Sequence, residues 1–237
     1  VRDLGDGVDA VFPLPSHINP AFWRPDPETV SRFQEADLIL LNGATYAKWI
    51  DHVSLLQSRM VNTSVGFSDR YIAVEDAVTH SHGPGGEHAH AGTAFTTWLD
   101  FRQATEQARA VMGAMSRARP EMTGTFLENF AALEADLLEL DRKLGTLTSG
   151  GQQLPLVGSH PVYQYFARRY ELNLECVTWE PAEVPGEDKW QELAFGLENH
   201  PARWMLWEGA PAEESVARLE EMGVGSIVFD TCANVPE

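Results

Sequence analysis

The sequence predicts an α/β protein, and three observations carry the prediction. Short apolar runs alternate with amphipathic segments in both halves of the chain, the pattern of parallel strands joined by helical crossovers. A helix near the middle, predicted over residues 121–144, is long enough at ~36 Å to join two bodies. At 237 residues, 43% hydrophobic and 10% aromatic, the chain has material for one large domain or for two lobes, each with its own core.

The elements follow in order. Residues 8–14 are strand-like and end at prolines. Residues 27–35 start a helix, with Asp26 as N-cap and Pro27 in the first turn. Residues 37–41 form a strand closed by Asn42-Gly43. A helix is expected over 46–58 and a further strand over 60–65. Asp100 caps a helix that runs to about Ala118, before Pro120. In the long helix, Phe126, Phe130, Leu133, Leu137, Leu140 and Leu144 recur at three- and four-residue steps and define one apolar stripe. Its end near Lys143-Leu144-Gly145 has the cation and glycine that C-termini prefer. Beyond it, strands at 154–157, 174–179, 203–207 and 226–229 alternate with helices at 160–170, 190–198 and 211–222, as in a parallel sheet with short crossovers.

The bulk numbers exclude some partners. A formal net charge of −18 makes nucleic acid and anionic membrane poor partners. No apolar run approaches the ~18 residues of a membrane span. Cys176 and Cys232 do not form a C-x-x-C pair. One disulfide in an oxidising compartment and two free thiols remain equally open. No signal peptide is visible at Val1.

The loudest chemical signal is Thr79-His80-Ser81-His82-Gly83-Pro84-Gly85-Gly86-Glu87-His88-Ala89-His90-Ala91-Gly92, which holds half of the chain's eight histidines. Two His-x-His pairs around a Gly-Pro-Gly-Gly turn let several imidazoles converge on one ion, zinc first. A second signal lies at the carboxyl ends of the predicted C-terminal strands, where ligands of parallel sheets bind. His160, Glu208 and Asp230 all fall there. His160 and Asp230 read as metal ligands, and Glu208 as a group that orients one. His17, His52 and His200 are isolated and read as structural or surface histidines. Gly-x-Ser-x-Gly and His-Glu-x-x-His are both absent, so catalysis has little support.

Together these residues resemble the zinc- and manganese-binding solute receptors of bacterial ABC importers, the ZnuA/TroA-like cluster. Asn19 to Pro27 is similar to that family's Asp-Pro-His-x-Tyr-x-Pro-x-Pro segment, and Glu35 to Gly43 to its Lys-Ala-Asp-Leu-Val…Asn-Gly strand. Thr96-Thr97-Trp98-Leu99-Asp100 resembles His-x-Trp-Leu-Asp. Gly158-Ser159-His160-Pro161, with Tyr165 to Tyr170, resembles the third-ligand segment, and Glu208 and Asp230 match late acidic positions. The resemblance implies two lobes, each with a small parallel sheet flanked by helices, joined by one long backbone helix, with the metal buried between them. Its boundaries are an N-terminal lobe over 1–118, a linking helix over 119–148 and a C-terminal lobe over 149–237. The family's opening strand and helix have no counterpart before residues 8–14.

The departures from the family are specific. Ala21 and Thr96 stand where the first two histidine ligands are expected. One or more of His80, His82, His88 and His90 is expected to replace them beside His160 and Asp230, and His17 is a further candidate. The implied function is an extracytoplasmic solute-binding protein, not an enzyme. It is expected to be periplasmic or surface-anchored and monomeric, and to carry Zn2+, with Mn2+ second, to an ABC permease. Two other readings stand beside it. One is a binding domain that kept the fold, lost the metal site and takes another ligand or partner. The other is a zinc hydrolase with His160, Asp230 and a loop histidine around an open position and Glu208 as base.

Overall fold

A computed structural model describes residues 8–15, 18, 20–74, 92–150 and 154–234, together with the backbone of 79–81 and 87–89. It divides into two compact units, one of Val1–Ala73, Gly92–Arg142 and Ala233–Glu237, the other of Val74–Ala91 and Lys143–Cys232.

In the first unit, α1 (Pro27–Glu35) begins as its sequence dictates. The Asp26 carboxylate accepts from the Thr29 amide at 2.8 Å, and Pro27 occupies the first turn. Strand β1 (Ile39–Leu41) runs parallel to β2 (Met60–Asn62), with Ile39 opposite Met60. Phe33 and Trp23 both pack on the buried Trp49, at ring separations of 4.8 and 5.8 Å, so aromatic burial docks the segments around this small sheet.

Two sequence expectations in this unit are corrected. Residues 8–14 form no strand; Val11 and Phe12 are exposed, and no ladder partner pairs with this segment among the described residues. An alternating pattern specifies a strand only when a neighbouring backbone takes its hydrogen bonds. The helix expected over 46–58 is two 3-10 turns, Lys48–His52 and Gln57–Arg59. Long-range bonds hold the chain between and beside them. The Gln34 amide donates to the Ser54 carbonyl, and the Arg59 guanidinium donates to the carbonyls of Gln34 and Ala36, each at 3.0 Å.

Gly43 stands at the exit of β1 with φ of 82°, and a Cβ there would overlap the side chains of Asn62 and Ser64. Gly43→Ala is therefore expected to destabilise the protein by about 1–2 kcal/mol through backbone strain and overpacking, read from denaturant midpoints at unchanged slope. The crowding serves a polar network. The Gln107 amide donates to the Asn42 side-chain oxygen at 3.0 Å and to the Thr63 hydroxyl at 3.1 Å, and the Asn42 amide donates to the Phe95 carbonyl at 2.9 Å.

Helix α2 (Phe101–Ala118) starts on Asp100, whose carboxylate accepts from the amides of Arg102 and Gln103. Helix α3 (Thr123–Thr148) is the predicted long helix, and Phe130, Leu137 and Leu144 of its stripe are half-buried. Phe126 is buried, whereas Leu133 and Leu140 are exposed. Inward positions go instead to Glu134, paired with Arg109, and to buried Asp141, paired with Arg102 at 3.2 Å.

Between the arms of the first unit the chain passes through β3 (Ala73–Val74), β4 (Thr79–Ser81), β5 (Glu87–Ala89) and β6 (Gly92–Thr93). Strands β4 and β5 are antiparallel, and their register sets His80 opposite His88.

The second unit holds the predicted parallel sheet. Strands β7 (Leu156–Gly158), β8 (Leu174–Cys176), β9 (Trp204–Trp207) and β10 (Gly225–Val228) lie in the order β10-β9-β7-β8, every neighbouring pair parallel. The connections run through α4 (Gln164–Tyr170), α5 (Glu187–Asn199) and α6 (Glu213–Glu221). Trp179, Trp190, Leu193, Met205, Trp207, Leu219 and Val224 form the core against the central strands. The helix expected from residue 160 begins only at Gln164, because His160 to Tyr163 form a turn in which the Val162 amide bonds the His160 carbonyl at 2.8 Å.

Candidate metal centre

The strand order in the second unit reverses at β7. From there the chain crosses to β8 on one side and then returns to β9 on the other. Such a switch point opens a crevice at the carboxyl ends of the two central strands. His160 follows β7 by two residues, and Glu208 directly follows β9.

Backbone bonds carry the ladder past the strand ends and fix these side chains. The Ser159 amide donates to the Leu206 carbonyl at 2.8 Å, and the Trp179 amide donates to the Ser159 carbonyl at 2.7 Å. His160 is thus clamped from both sides, with Glu208 two residues beyond Leu206 and Glu180 one beyond Trp179. Its side chain is 7% exposed and lies between two carboxylates. Nδ1 is 3.7 Å from Glu208 Oε1, and Nε2 is 3.7 Å from Glu180 Oε1.

Asp230 is set by the end of β10. The Tyr163 hydroxyl donates to the Phe229 carbonyl at 2.7 Å, and the two rings stack at 5.6 Å. The Asp230 carboxylate accepts from the Cys232 amide at 2.7 Å, which orients one oxygen. Burial first, and then the charges of Glu180 and Asp230, push the Glu208 carboxyl up to about 7. Burial, followed by the charge of Glu208 and more distant groups, also raises the Tyr163 phenol, so it remains a neutral donor. The site is a strip of negative charge around one imidazole. It suits a divalent cation, which would relieve the repulsion among its acids.

The predicted residues are thus distributed unevenly. His160 and Glu208 are adjacent, and Asp230 is on the same strand-end rim. His80 and His88 are register partners in β4 and β5; His82, His90 and His17 lie outside the described residues. In the first unit, Ala21 and Thr96 are both buried where the family resemblance expects imidazoles. Among the described residues no three His, Cys, Asp or Glu side chains are close enough to hold a metal ion together. His200 is structural, its ring N–H donating to the Leu156 carbonyl at 2.8 Å, and His52 is on the surface. Cys176 and Cys232 are free thiols. The Cys176 sulfur packs over Gly158, where a Cβ would come within 2.8 Å, and burial pushes that thiol up to about 12.

The sequence reading missed Glu180. It follows the strand expected over 174–179 as directly as Glu208 follows β9, so the strand-end rule that selected Glu208 also selects it.

The sequence pattern of the family described as "Zinc-uptake complex component A periplasmic" (ZnuA) matches residues 3–237. The high-affinity zinc uptake system protein ZnuA of Bacillus subtilis is 23% identical over 237 residues, covering 98% of this chain and 73% of that protein. The crystal structure of the metal-dependent lipoprotein YcdH from Bacillus subtilis superposes with a TM-score of 0.79 at 19% identity, over 97% of this chain and 82% of that one. Zn(II)-bound AdcA from Streptococcus pneumoniae gives 0.77 at 18% identity, over 94% of this chain; the match spans only 46% of AdcA. These likenesses are to small parallel sheets and helices of the same fold.

Proposed function

The chain belongs to the ZnuA family of zinc-uptake components, and from that premise we propose that it is an extracytoplasmic solute-binding protein, periplasmic or surface-anchored. It captures a divalent transition metal, zinc before manganese, and hands it to the membrane permease of an ABC importer. Its family is one of binding components rather than enzymes. The observation that carries the reading is His160, held at the switch point between Glu180 and Glu208 at 3.7 Å each. An imidazole wedged between carboxylates is the arrangement that orients a ring nitrogen toward a metal.

His160 and Asp230 are the ligands retained from the family pattern, and Glu208 orients the imidazole. Ala21 and Thr96 offer no imidazole, so the histidine loop supplies the remaining nitrogen. The His80–His88 register supports this, since directly opposed positions on an antiparallel pair share one face. In chain order, residues 119–148 link a lobe of 1–118 to a lobe of 149–237.

Calorimetric titration of metal-stripped protein tests the reading, with metal content measured on the purified protein. One zinc per chain with a Kd well below micromolar is expected. Protein that takes up no zinc would leave the alternative of a domain that kept the fold and lost the site. Deleting residues 81–91 is expected to weaken the single tight site about tenfold. If the deletion removes only weak additional sites, the loop collects zinc without contributing a ligand.

A further inference from the structure

Helix α3 carries an apolar stripe that its own chain covers on one side only. Phe126, Phe130, Leu133, Leu137, Leu140, Leu144 and Leu147 follow one another at alternating four- and three-residue steps, the heptad spacing of a coiled-coil seam. Phe126 is buried, and Phe130, Leu137 and Leu144 are half-buried. Leu133, Leu140 and Leu147 are 41%, 45% and 77% exposed. Leucines aligned along one edge of a helix leave a row of apolar surface in water, the kind of patch that marks an interface. We infer that this stripe is the contact of a homodimer. In it, α3 of one copy packs antiparallel against α3 of a second copy, in place of the monomer that the family resemblance implies.

Charge selects both the occupant and its direction. In the heptad frame, Phe130, Leu137 and Leu144 are a positions, and Leu133, Leu140 and Leu147 are d positions. The seam is flanked by Glu134 and Asp141 on the e side and by Asp136 and Lys143 on the g side. Helix α2 occupies the e side. Its Arg109 pairs with Glu134 and lies over the Phe130 ring at 5.4 Å, and its Arg102 pairs with buried Asp141. On the g side, Asp136 and Lys143 are exposed.

A parallel partner would set g against e, bringing Asp136 toward Asp141 across a side that α2 already fills. An antiparallel partner sets g against g. With Leu137 of one copy beside Leu140 of the other, Leu144 meets Leu133 and Leu147 meets Phe130, so the stripe overlaps along its length. The same register places Asp136 of each copy beside Lys143 of the other, twice about the two-fold axis. The face is thus self-complementary on a chain of net charge −18, whose surface otherwise repels a second copy.

Sedimentation velocity of the purified chain across a concentration series, at ~0.15 M salt to screen the net charge, tests the inference. A reversible dimer with a Kd on the order of 1–100 μM is expected. The double variant Leu133→Glu/Leu140→Glu is expected to weaken it at least tenfold. Asp136→Lys and Lys143→Asp each turn both flanking pairs into like charges and are expected to weaken self-association about tenfold. Mixed together, these two single variants regain both pairs and are expected to form a heterodimer near parental affinity. Melting curves establish that each variant is folded, and the charge variants, made at exposed side chains, keep the test open if the leucine variant is not. A chain that is monomeric at every concentration overturns the self-pairing and leaves the stripe to a different protein. A dimer that survives all the substitutions lies on another face and overturns it equally. Loss of the dimer in both charge variants without recovery on mixing overturns the antiparallel register.

Discussion

Replacing His160 with alanine is expected to weaken zinc binding at least a hundredfold, about 2.7 kcal/mol, the largest loss of any single substitution in this protein. The effect has two sources. The imidazole is a nitrogen donor in a site with few, since Ala21 and Thr96 supply none. It also separates Glu180 from Glu208, each 3.7 Å from one of its ring nitrogens. Without the ring, two carboxylates that share a half-buried strip repel one another and lose their fixed orientation. Calorimetry on metal-stripped protein, with a chelator competing for tight zinc, measures the change. Parental affinity in the alanine variant would place the metal away from the strand ends of the second unit.

The C-terminal half was legible in the sequence for a definite reason. Its central strands, β7 and β9, are short apolar runs that the parallel sheet buries, and helical segments separate each strand from the next. The same pattern made the strand ends stand out, because His160, Glu208 and Asp230 are the first ionisable groups after the strands that precede them. The N-terminal half was less legible, since its outcomes depend on distant partners. The bonds from Gln34 and Arg59 that interrupt the expected 46–58 helix join residues 20 to 25 positions apart. The α3 stripe holds at Phe126, Phe130, Leu137 and Leu144 but not at Leu133 and Leu140, beside which Glu134 and buried Asp141 pair with Arg109 and Arg102. Nothing in the local pattern of α3 announces those two arginines. Glu180 obeys the same strand-end rule as Glu208. Whether a strand-end residue faces the crevice is decided by the backbone bond from Trp179 to Ser159, which sequence spacing does not reveal.

Glu208→Gln is expected to make the metal-free protein more stable at pH 8 and a poorer binder of zinc. Burial, Glu180 and Asp230 raise the Glu208 carboxyl from 4.5 to about 7 in the folded state. Over that interval the folded chain holds a proton that the unfolded chain releases. The contribution of this group to stability is therefore fully present below pH 4.5 and is lost as pH rises through about 7. At ~1.4 kcal/mol per pH unit, the deficit at pH 8 is on the order of 3 kcal/mol. Glutamine has no charge to bury, so the variant keeps that stability at pH 8 and matches the parent near pH 4. Denaturant melts in the presence of chelator at the two pH values read the difference, and parallel profiles for parent and variant would show that Glu208 is not the strained carboxylate. Zinc reverses the ranking, since the cation neutralises the acids in the parent, whereas glutamine no longer offers His160 an anionic partner. A loss of ~10- to 100-fold in affinity is the usual consequence of removing such a partner. The metal-free protein thus carries an uncompensated charge at its strand ends, and capture of the metal relieves it.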